Sequence, residues 1–171
     1  MAQLEIQKLS NNDYGELSAL IASDTILQED FGIIDSTVPD REKVMLDFNS
    51  WCESHSGIMH SLKLNNNFVG LITLSKIDSI SRSARLGLWL GSQYRAKGYG
   101  SQAIKLISEL ALQMDLIRLS GSVEKSNAAS SRLWEKSGGR IVEYGKNNLE
   151  YQIDLVSEPK IVPPSSGETG C

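Results

Sequence analysis

The chain has 171 residues, a length typical of one domain that can bury a full hydrophobic core without disulfides or a structural metal. Its formal net charge of −4 argues against a nucleic-acid-binding protein, which would usually present a net basic surface. The two cysteines, Cys52 and Cys171, are far apart, and the two histidines, His55 and His60, lack metal-ligand spacing, so we expect neither a disulfide framework nor a metal site.

The two ends of the chain suggest where the domain begins and stops. Residues 1–13 lack the basic and apolar regions of a signal peptide, and no stretch approaches the roughly 18 apolar residues of a membrane helix. We therefore expect a soluble, cytoplasmic protein that does not bind a membrane. One domain over residues 1–156 is expected, followed by a segment at 157–171 whose Pro, Gly and Ser content predicts a flexible tail.

The first elements in chain order are a strand and two helices. Alternating apolar and polar residues at 4–9 indicate a strand. The side chains at 11–13 are of the types that cap a helix, which we expect to run to about Ser23. Residues 24–40 are irregular and acidic, which predicts a loop, and a second helix is expected to open at Pro39 and run to about Glu53.

The acidic loop holds the candidate substrate-binding residues. Glu29, Asp30 and Asp35 could contact a cationic acceptor. An ordinary solvated loop would carry the same charges, so that alternative stays open.

The second half of the domain predicts a mixed α/β sheet. Two strand-like runs around the polar turn at 65–67 indicate a hairpin, and residues 84–90 indicate a third strand. From Gly98 the apolar residues recur with the period of a helix. The remaining predicted elements are a strand at 117–123, a helix at 127–136 and a closing hairpin at 141–155. The resulting order is β-α-α-β-β-β-α-β-α-β-β.

The segment 86–112 runs from a strand through a basic, glycine-bearing loop into an amphipathic helix, which is the architecture of an anion site. The first turn of a helix has unpaired backbone N–H groups and a partial positive charge. Gly98 and Gly100 allow close approach of the backbone to a bulky anion, and Arg95 and Lys97 add charge. We predict that main-chain amides here bind a pyrophosphate. The predicted contacts are Arg95, Ala96, Lys97, Gly98, Tyr99, Gly100 and Ser101.

The glycine pattern differs from two common nucleotide motifs. No GK[ST] closes the loop, so it is not a Walker motif. The glycines do not follow a first strand early in the chain, and no acidic residue stands about 20 residues later at the end of a second strand, as a Rossmann fold would require.

Two motifs together resemble the GNAT superfamily of acyl-CoA N-acyltransferases. Residues 95–100 resemble its Q/R-x-x-G-x-G/A motif, and the segment 127–138 resembles its second motif, N-x-x-S-x-x-x-x-E-K-x-G-F. Gly139 replaces the aromatic residue that usually ends the second motif. The residues within these motifs are most similar to those of the RimJ/RimL-like branch of ribosomal-protein N-terminal acetyltransferases. The resemblance covers roughly residues 4–155. The matching positions of the second motif are Asn127, Ser130, Glu135, Lys136 and Gly138.

The resemblance implies a fold and a set of ligand contacts. It implies a mixed, mostly antiparallel central sheet flanked by helices, with acetyl-CoA as co-substrate and no metal. The strand before the glycine loop would splay from its neighbour, so that Leu88 and Trp89 pair with the pantetheine arm, and a main-chain N–H there would polarise the thioester carbonyl. Asn127 is expected to reach the pantetheine, although a helix N-cap would equally explain its position.

The sequence departs from the family pattern at the reacting groups. Relatives commonly carry a Glu as proton acceptor where this chain has Arg85, and no carboxylate occurs between Ile80 and Gln93. The base is therefore unassigned: a residue of the 24–40 loop, an ordered water or a backbone carbonyl could serve. Trp134 stands near the usual Tyr and is expected to be core, because an indole N–H is a poor acid. The resemblance makes Ser130 the catalytic proton donor to the leaving thiolate. The alternative is a helix serine bonded to a carbonyl one turn back.

Three functional hypotheses follow. The first is an acetyl-CoA-dependent N-acetyltransferase that acts on a primary amine, either a protein N-terminus or a small molecule, by direct attack in a ternary complex. The second is an acyl-CoA-binding sensor domain with little or no catalysis, and the third is generic nucleotide-phosphate binding through the glycine loop. Nothing in the sequence decides between a monomer and a homodimer.

Overall fold

The computed structural model describes residues 2–33 and 37–156. Asp35 and the predicted tail at 157–171 lie outside the described residues. The strands are β1 (Leu4–Lys8), β2 (Ile58–Leu64), β3 (Asn67–Asp78), β4 (Ser83–Leu90), β5 (Arg118–Glu124), β6 (Arg140–Tyr144) and β7 (Asn148–Asp154). The helices are α1 (Asn11–Ser23), α2 (Thr25–Asp30), α3 (Arg41–Ser54), α4 (Tyr99–Gln113) and α5 (Ala128–Lys136), with a 3₁₀ turn at Ser92–Tyr94 before α4.

The seven strands form one sheet in the order β1-β2-β3-β4-β5-β7-β6. Every neighbouring pair is antiparallel except β4 and β5, which run parallel. This confirms the predicted mixed, mostly antiparallel α/β fold, and the predicted elements occur in the predicted order.

Two local predictions in the first 40 residues were wrong. The N-cap of α1 is Ser10 instead of one of residues 11–13, and the Asp13 carboxylate accepts a hydrogen bond from the Ser10 backbone N–H at 2.7 Å. The segment predicted to be irregular from residue 24 begins with α2. Asp24 caps this helix, because its carboxylate accepts from the Leu27 N–H at 3.0 Å.

The helices divide between the two faces of the sheet. On one face, α4 packs its buried residues Ala103, Ile104 and Ile107 against the sheet, and α5 adds Trp134. On the other face, α1, α2 and α3 enclose a second cluster of buried apolar side chains that includes Leu17. The site described below therefore has α4 and α5 on one side and α1–α3 on the other.

Two features are absent from residues 2–33 and 37–156. No helix in these ranges combines the length and apolarity needed to cross a membrane. No three His, Cys, Asp or Glu side chains in the same ranges lie where they could hold a metal ion.

Candidate active site

The central feature of the site is a gap between β4 and β5. The two strands pair only from Ser83 to Arg85 on β4 and from Arg118 to Ser120 on β5. Beyond Arg85, β4 continues against β3 up to Leu90, while β5 continues against β7. The two strands therefore separate from a common apex and leave an open edge on each, as the family resemblance implies.

The register of β3 and β4 shows which main-chain groups face this gap. Gly91 donates its N–H to the Val69 carbonyl at 3.0 Å. Because main-chain groups alternate between the two edges of a strand, the N–H and C=O of Trp89, two residues earlier, also point toward β3. Leu86 and Leu88 then direct their N–H and C=O groups toward the gap. Of the two residues predicted to pair with pantetheine, only Leu88 has its main chain on the open side. The expectation for Trp89 is corrected, because adjacent residues of a strand face opposite edges.

The glycine loop ends at the start of α4, as predicted. Gly98 is the N-cap of this helix with a left-handed φ of 84°, and none of the described side chains caps it. The N–H groups of Tyr99, Gly100 and Ser101 form the first turn and have no acceptor within the helix. Ala96 also has a positive φ, of 58°, so the loop turns sharply twice before the helix. This arrangement leaves main-chain donors available to an anion.

Gly100 serves packing as well as the loop. A Cβ atom at this position would lie 3.1 Å from both methyl carbons of Leu133 on α5. The glycine thus lets the start of α4 approach the second half of α5, which brings the two sequence motifs together in space.

Arg95 holds the loop against β4 and α2. Its Nε donates to the Leu90 carbonyl at 2.9 Å, and its guanidinium pairs with the Asp30 carboxylate. Asp30 was predicted to bind substrate. In the structure the Asp30 carboxylate is paired with Arg95 instead, because α2 places it beside the loop. Glu29, on the same helix, is exposed.

Asp24 is a second anchor of this region, which sequence reasoning missed. Its buried carboxylate accepts hydrogen bonds from the N–H groups of Leu27 and Ser92 and so joins α2 to the turn before the loop. Burial alone would raise the pKa of Asp24, but these hydrogen bonds and the nearby Arg95 outweigh that effect and hold the pKa below its usual value.

We expect Asp24→Asn to destabilise the protein at neutral pH. The loss should be about 1.5 to 3 kcal/mol, because the variant gives up charge-assisted hydrogen bonds. A carboxylate with a lowered folded-state pKa stabilises the fold above its unfolded-state pKa of about 3.9 and loses that contribution as the pH falls through the folded-state value. The difference from wild type in urea denaturation should therefore shrink below about pH 4. A constant difference down to the acid limit, or an equal loss in Glu29→Gln, would contradict this role.

The residues of the second motif lie at the start of α5. Asn127 is the N-cap, and its side-chain oxygen accepts from the Ser130 N–H at 3.0 Å. The N-cap alternative is therefore correct for the side-chain oxygen, and the side-chain NH₂ group donates no hydrogen bond to any residue that the structure describes. Ser108 and Ser137 each donate their hydroxyl to a carbonyl one turn back. The Ser130 hydroxyl makes no hydrogen bond to any residue that the structure describes, so the back-bonded alternative does not hold for it.

Trp134 is a core residue, as expected. Its side chain is buried and stacks on Tyr151 of β7 with ring centroids 5.8 Å apart. Its ring lies over Gly121 of β5, where a Cβ would come within 2.3 Å of the indole. The ring therefore fixes the distance between α5 and the sheet beside the gap.

The apex of the gap carries an ion pair that the sequence did not reveal. Arg85, which stands where relatives carry an acid, forms two hydrogen bonds of 3.1 and 3.2 Å to the Glu150 carboxylate. Glu150 lies on β7 opposite Ser122 of β5. The pair is half-buried, with side-chain exposures of 34% for Arg85 and 22% for Glu150. β4 thus carries a cation at this position, and β7, on the far side of β5, supplies the carboxylate.

Comparison with known protein families shows which family the chain belongs to. The family described as the acetyltransferase (GNAT) domain matches residues 3–140, which is most of the chain. The chain belongs to the GNAT family. The two sequence motifs, at 95–100 and 127–138, predicted this membership, and both lie within the matched range.

A curated relative and two solved structures extend the comparison. The Bacillus subtilis protein named "Putative ribosomal N-acetyltransferase YdaF" is 27% identical over 107 residues, which is 62% of this chain but only 57% of that protein's length. A spermidine N-acetyltransferase from Vibrio cholerae, in complex with CoA and spermine, is 16% identical with a TM-score of 0.72 and covers 90% of this chain and 96% of its own. RimL, a ribosomal L7/L12 α-N-protein acetyltransferase, is 16% identical with a TM-score of 0.69 and covers 91% and 95%.

These likenesses agree with the predicted branch of the GNAT family. The names of the curated relative and of RimL are both of the ribosomal-protein type that the motif residues indicated. At 16% identity the solved structures show the shared GNAT fold, and that fold is the one described here.

Proposed function

We propose that this GNAT protein is an acetyl-CoA-dependent N-acetyltransferase that acts on a primary amine by direct attack in a ternary complex. The observation that carries the proposal is the gap between β4 and β5 beside the uncapped N-terminus of α4. The gap offers an open strand edge to an extended pantetheine arm, and the N-terminus of α4 offers main-chain N–H groups to a pyrophosphate.

Each part of the co-substrate has a candidate partner. The loop from Arg95 to Ser101 binds the pyrophosphate, Leu88 pairs with the pantetheine arm, and the Asn127 NH₂ group donates to the same arm. A main-chain N–H on the open edge of β4 donates to the thioester oxygen and stabilises the negative charge that develops there. Lys97 is exposed on the loop and adds a charge that a phosphate attracts.

The reaction moves two protons. The amine nitrogen attacks the thioester carbon, so a C–N bond forms and the C–S bond breaks. The acceptor ammonium must lose a proton before it attacks, and the leaving sulfur must gain one. Glu150 receives the first proton, directly or through water, because it is the carboxylate that the fold brings to the apex of the gap. Ser130 donates a proton from its hydroxyl to the leaving sulfur, and the nitrogen loses its second proton as it becomes the amide, which restores the Ser130 hydroxyl directly or through water.

The role of Glu150 predicts a change in the pH profile. We expect Glu150→Gln to lower kcat/KM by about 100-fold near neutral pH, since general-base catalysis typically contributes at least that much. The acidic limb of the profile should flatten as well. Glu143→Gln on the adjacent β6 is the matched control, because Glu143 is exposed and lies beside Glu150 in the sheet register. An unchanged profile in Glu150→Gln would rule out proton acceptance by this residue.

The role of Ser130 predicts a split between kcat and KM. Ser130→Ala should reduce kcat by at least about tenfold and leave KM for acetyl-CoA unchanged, because the hydroxyl acts on the leaving group after binding. Ser131→Ala, one residue along α5, should behave like wild type. A parallel rise in KM would instead assign Ser130 to binding.

Initial-rate kinetics test direct attack. When acetyl-CoA and amine are varied together, a ternary complex gives intersecting double-reciprocal lines. Parallel lines would indicate a covalent acyl-enzyme and would contradict the proposal. The sensor alternative predicts tight acetyl-CoA binding without amine-dependent thiol release, and competition by ATP but not by CoA would favour generic nucleotide binding.

A further inference from the structure

An apolar cavity of 310 Å³ lies between helices α1–α3 and the sheet. Its size is at the lower end of the range for small-molecule sites. Of the acidic residues predicted to bind substrate, Glu29 and Asp30 do not line it. Its walls include Phe31, Asp47, Phe48, Trp51, Met59 and Trp89.

The aromatic wall of the cavity is held in a fixed arrangement. Phe31 stacks on Trp89 with ring centroids 5.4 Å apart, and Phe48 meets Phe31 edge-on at 5.7 Å. The Trp89 ring lies over Gly87, where a Cβ would come within 2.9 Å of it. Gly87 therefore lets the indole lie flat along β4, which gives a small ligand a preformed apolar surface.

The described walls of the cavity offer little to a second positive charge. Asp47 is the one ionisable residue among its described walls, and its carboxylate is half-exposed and paired with Lys43 on the same helix. Burying an ammonium group without a free partner is unfavourable. The electrostatics therefore favour an acceptor that has a single ammonium and an apolar remainder.

The cavity and the proposed reaction site share strand β4, because Trp89 lines the cavity. Trp89 directly follows Leu88, whose main chain faces the gap, and Trp89, Gly87 and Arg85 lie on the same face of β4 because side chains alternate along a strand. That face is opposite α4 and α5, which carry the proposed acetyl-CoA contacts. An amine between the cavity and the Arg85–Glu150 pair would approach the thioester from the face of the sheet opposite α4 and α5.

We propose that this cavity binds the apolar group of the acceptor and that the substrate class is a primary amine with one aliphatic or aromatic side group, such as a peptide with an apolar N-terminal residue. A polyamine is disfavoured. This inference rests on the proposed N-acetyltransferase function and adds the choice of acceptor to it.

A matched pair of amines tests the inference. Hexylamine and hexamethylenediamine have the same carbon chain and differ by one ammonium group. With acetyl-CoA saturating, we expect kcat/KM for hexylamine to exceed that for the diamine by at least about tenfold. Hexanol, which cannot react as an amine, should inhibit competitively against hexylamine and not against acetyl-CoA.

A variant pair on α3 locates the effect. Phe48→Ala should raise KM for hexylamine by about tenfold and leave the diamine nearly unchanged, whereas Leu46→Ala should change neither, because Leu46 is 63% exposed on the same helix. Thermal unfolding of both variants checks that they are folded, and the hexanol experiment on wild type does not depend on either of them.

The outcomes separate the two proposals. Equal or better use of the diamine, or hexanol that does not compete with the amine, would overturn the inference and leave the acetyltransferase function standing. Acetyl-CoA binding without thiol release for any amine would overturn the function and the inference together.

Discussion

Replacement of Gly98 by glutamate is expected to weaken acetyl-CoA binding by at least about 100-fold while the protein stays folded. The new carboxylate would stand at the N-terminus of α4, where the partial positive charge and free N–H groups are proposed to meet the pyrophosphate. A loss of about 2.7 kcal/mol corresponds to this factor, and repulsion between like charges near a protein surface is of that order. Isothermal titration with acetyl-CoA measures it directly.

Gly138→Glu is the matched control for this substitution. Gly138 follows α5 and has a φ of 85°, against 84° for Gly98, and a Cβ at either position meets no atom of the described residues within 4 Å apart from its chain neighbours. Both variants therefore carry the same charge and a similar left-handed strain of about 1 to 2 kcal/mol. Equal weakening of acetyl-CoA binding in the two variants would show that strain is the cause and that α4 does not bind the pyrophosphate.

Gly121→Ala is expected to cause the largest loss of stability among the single substitutions considered. A Cβ there would lie 2.3 Å from the Trp134 ring, and both residues are buried, so the ring or the strand must shift. Overpacking of this kind costs about 3 kcal/mol. Urea denaturation should show the loss as a lower midpoint with an unchanged slope.

A second substitution distinguishes a clash with the indole from a general intolerance of the strand. Trp134→Phe shortens the ring that the new methyl group meets, so the double variant should be more stable than the sum of the two single effects predicts. Additive losses would mean that Gly121 is required for a different reason.

The sequence predicted the parts of this site that depend on local structure. Neighbouring residues determine the glycine loop and the start of α4, because Gly98 is left-handed and the first-turn N–H groups are free of helix partners. The cap at Asn127 is equally local, since its side chain accepts a hydrogen bond from an N–H three residues later. The type and order of the strands could also be predicted, because alternation and turn residues are local signals.

The remaining parts depend on which strands become neighbours. Arg85 and Glu150 are 65 positions apart, and they meet only because β7 pairs with β5 in a particular register beside the parallel contact of β4 and β5. The direction of the Leu88 main chain likewise depends on the register of β3 and β4. Asp24 gave a signal that was missed, since an Asp before a run of helix-forming residues is a common N-cap.

The acceptor side shows how charge in a sequence can mislead. The acidic residues at 24–40 suggested a surface for cationic substrates. In the folded chain Asp24 and Asp30 are engaged with Ser92 and Arg95, and they stabilise the loop proposed to bind acetyl-CoA. The apolar residues that line the cavity come from separate elements, including α2, α3 and β4, and only the fold brings them together.

The most direct test of the account is a single assay that follows CoA thiol release and N-acetylated product together, with acetyl-CoA and hexylamine, in wild type and Gly98→Glu. Release should require the amine, equal the product in amount and, at acetyl-CoA concentrations well below KM, fall by at least about 100-fold in the variant. Acetyl-CoA that binds wild type tightly but yields no thiol with hexylamine or with any other amine or peptide N-terminus would contradict the account, and the domain would then be an acyl-CoA sensor.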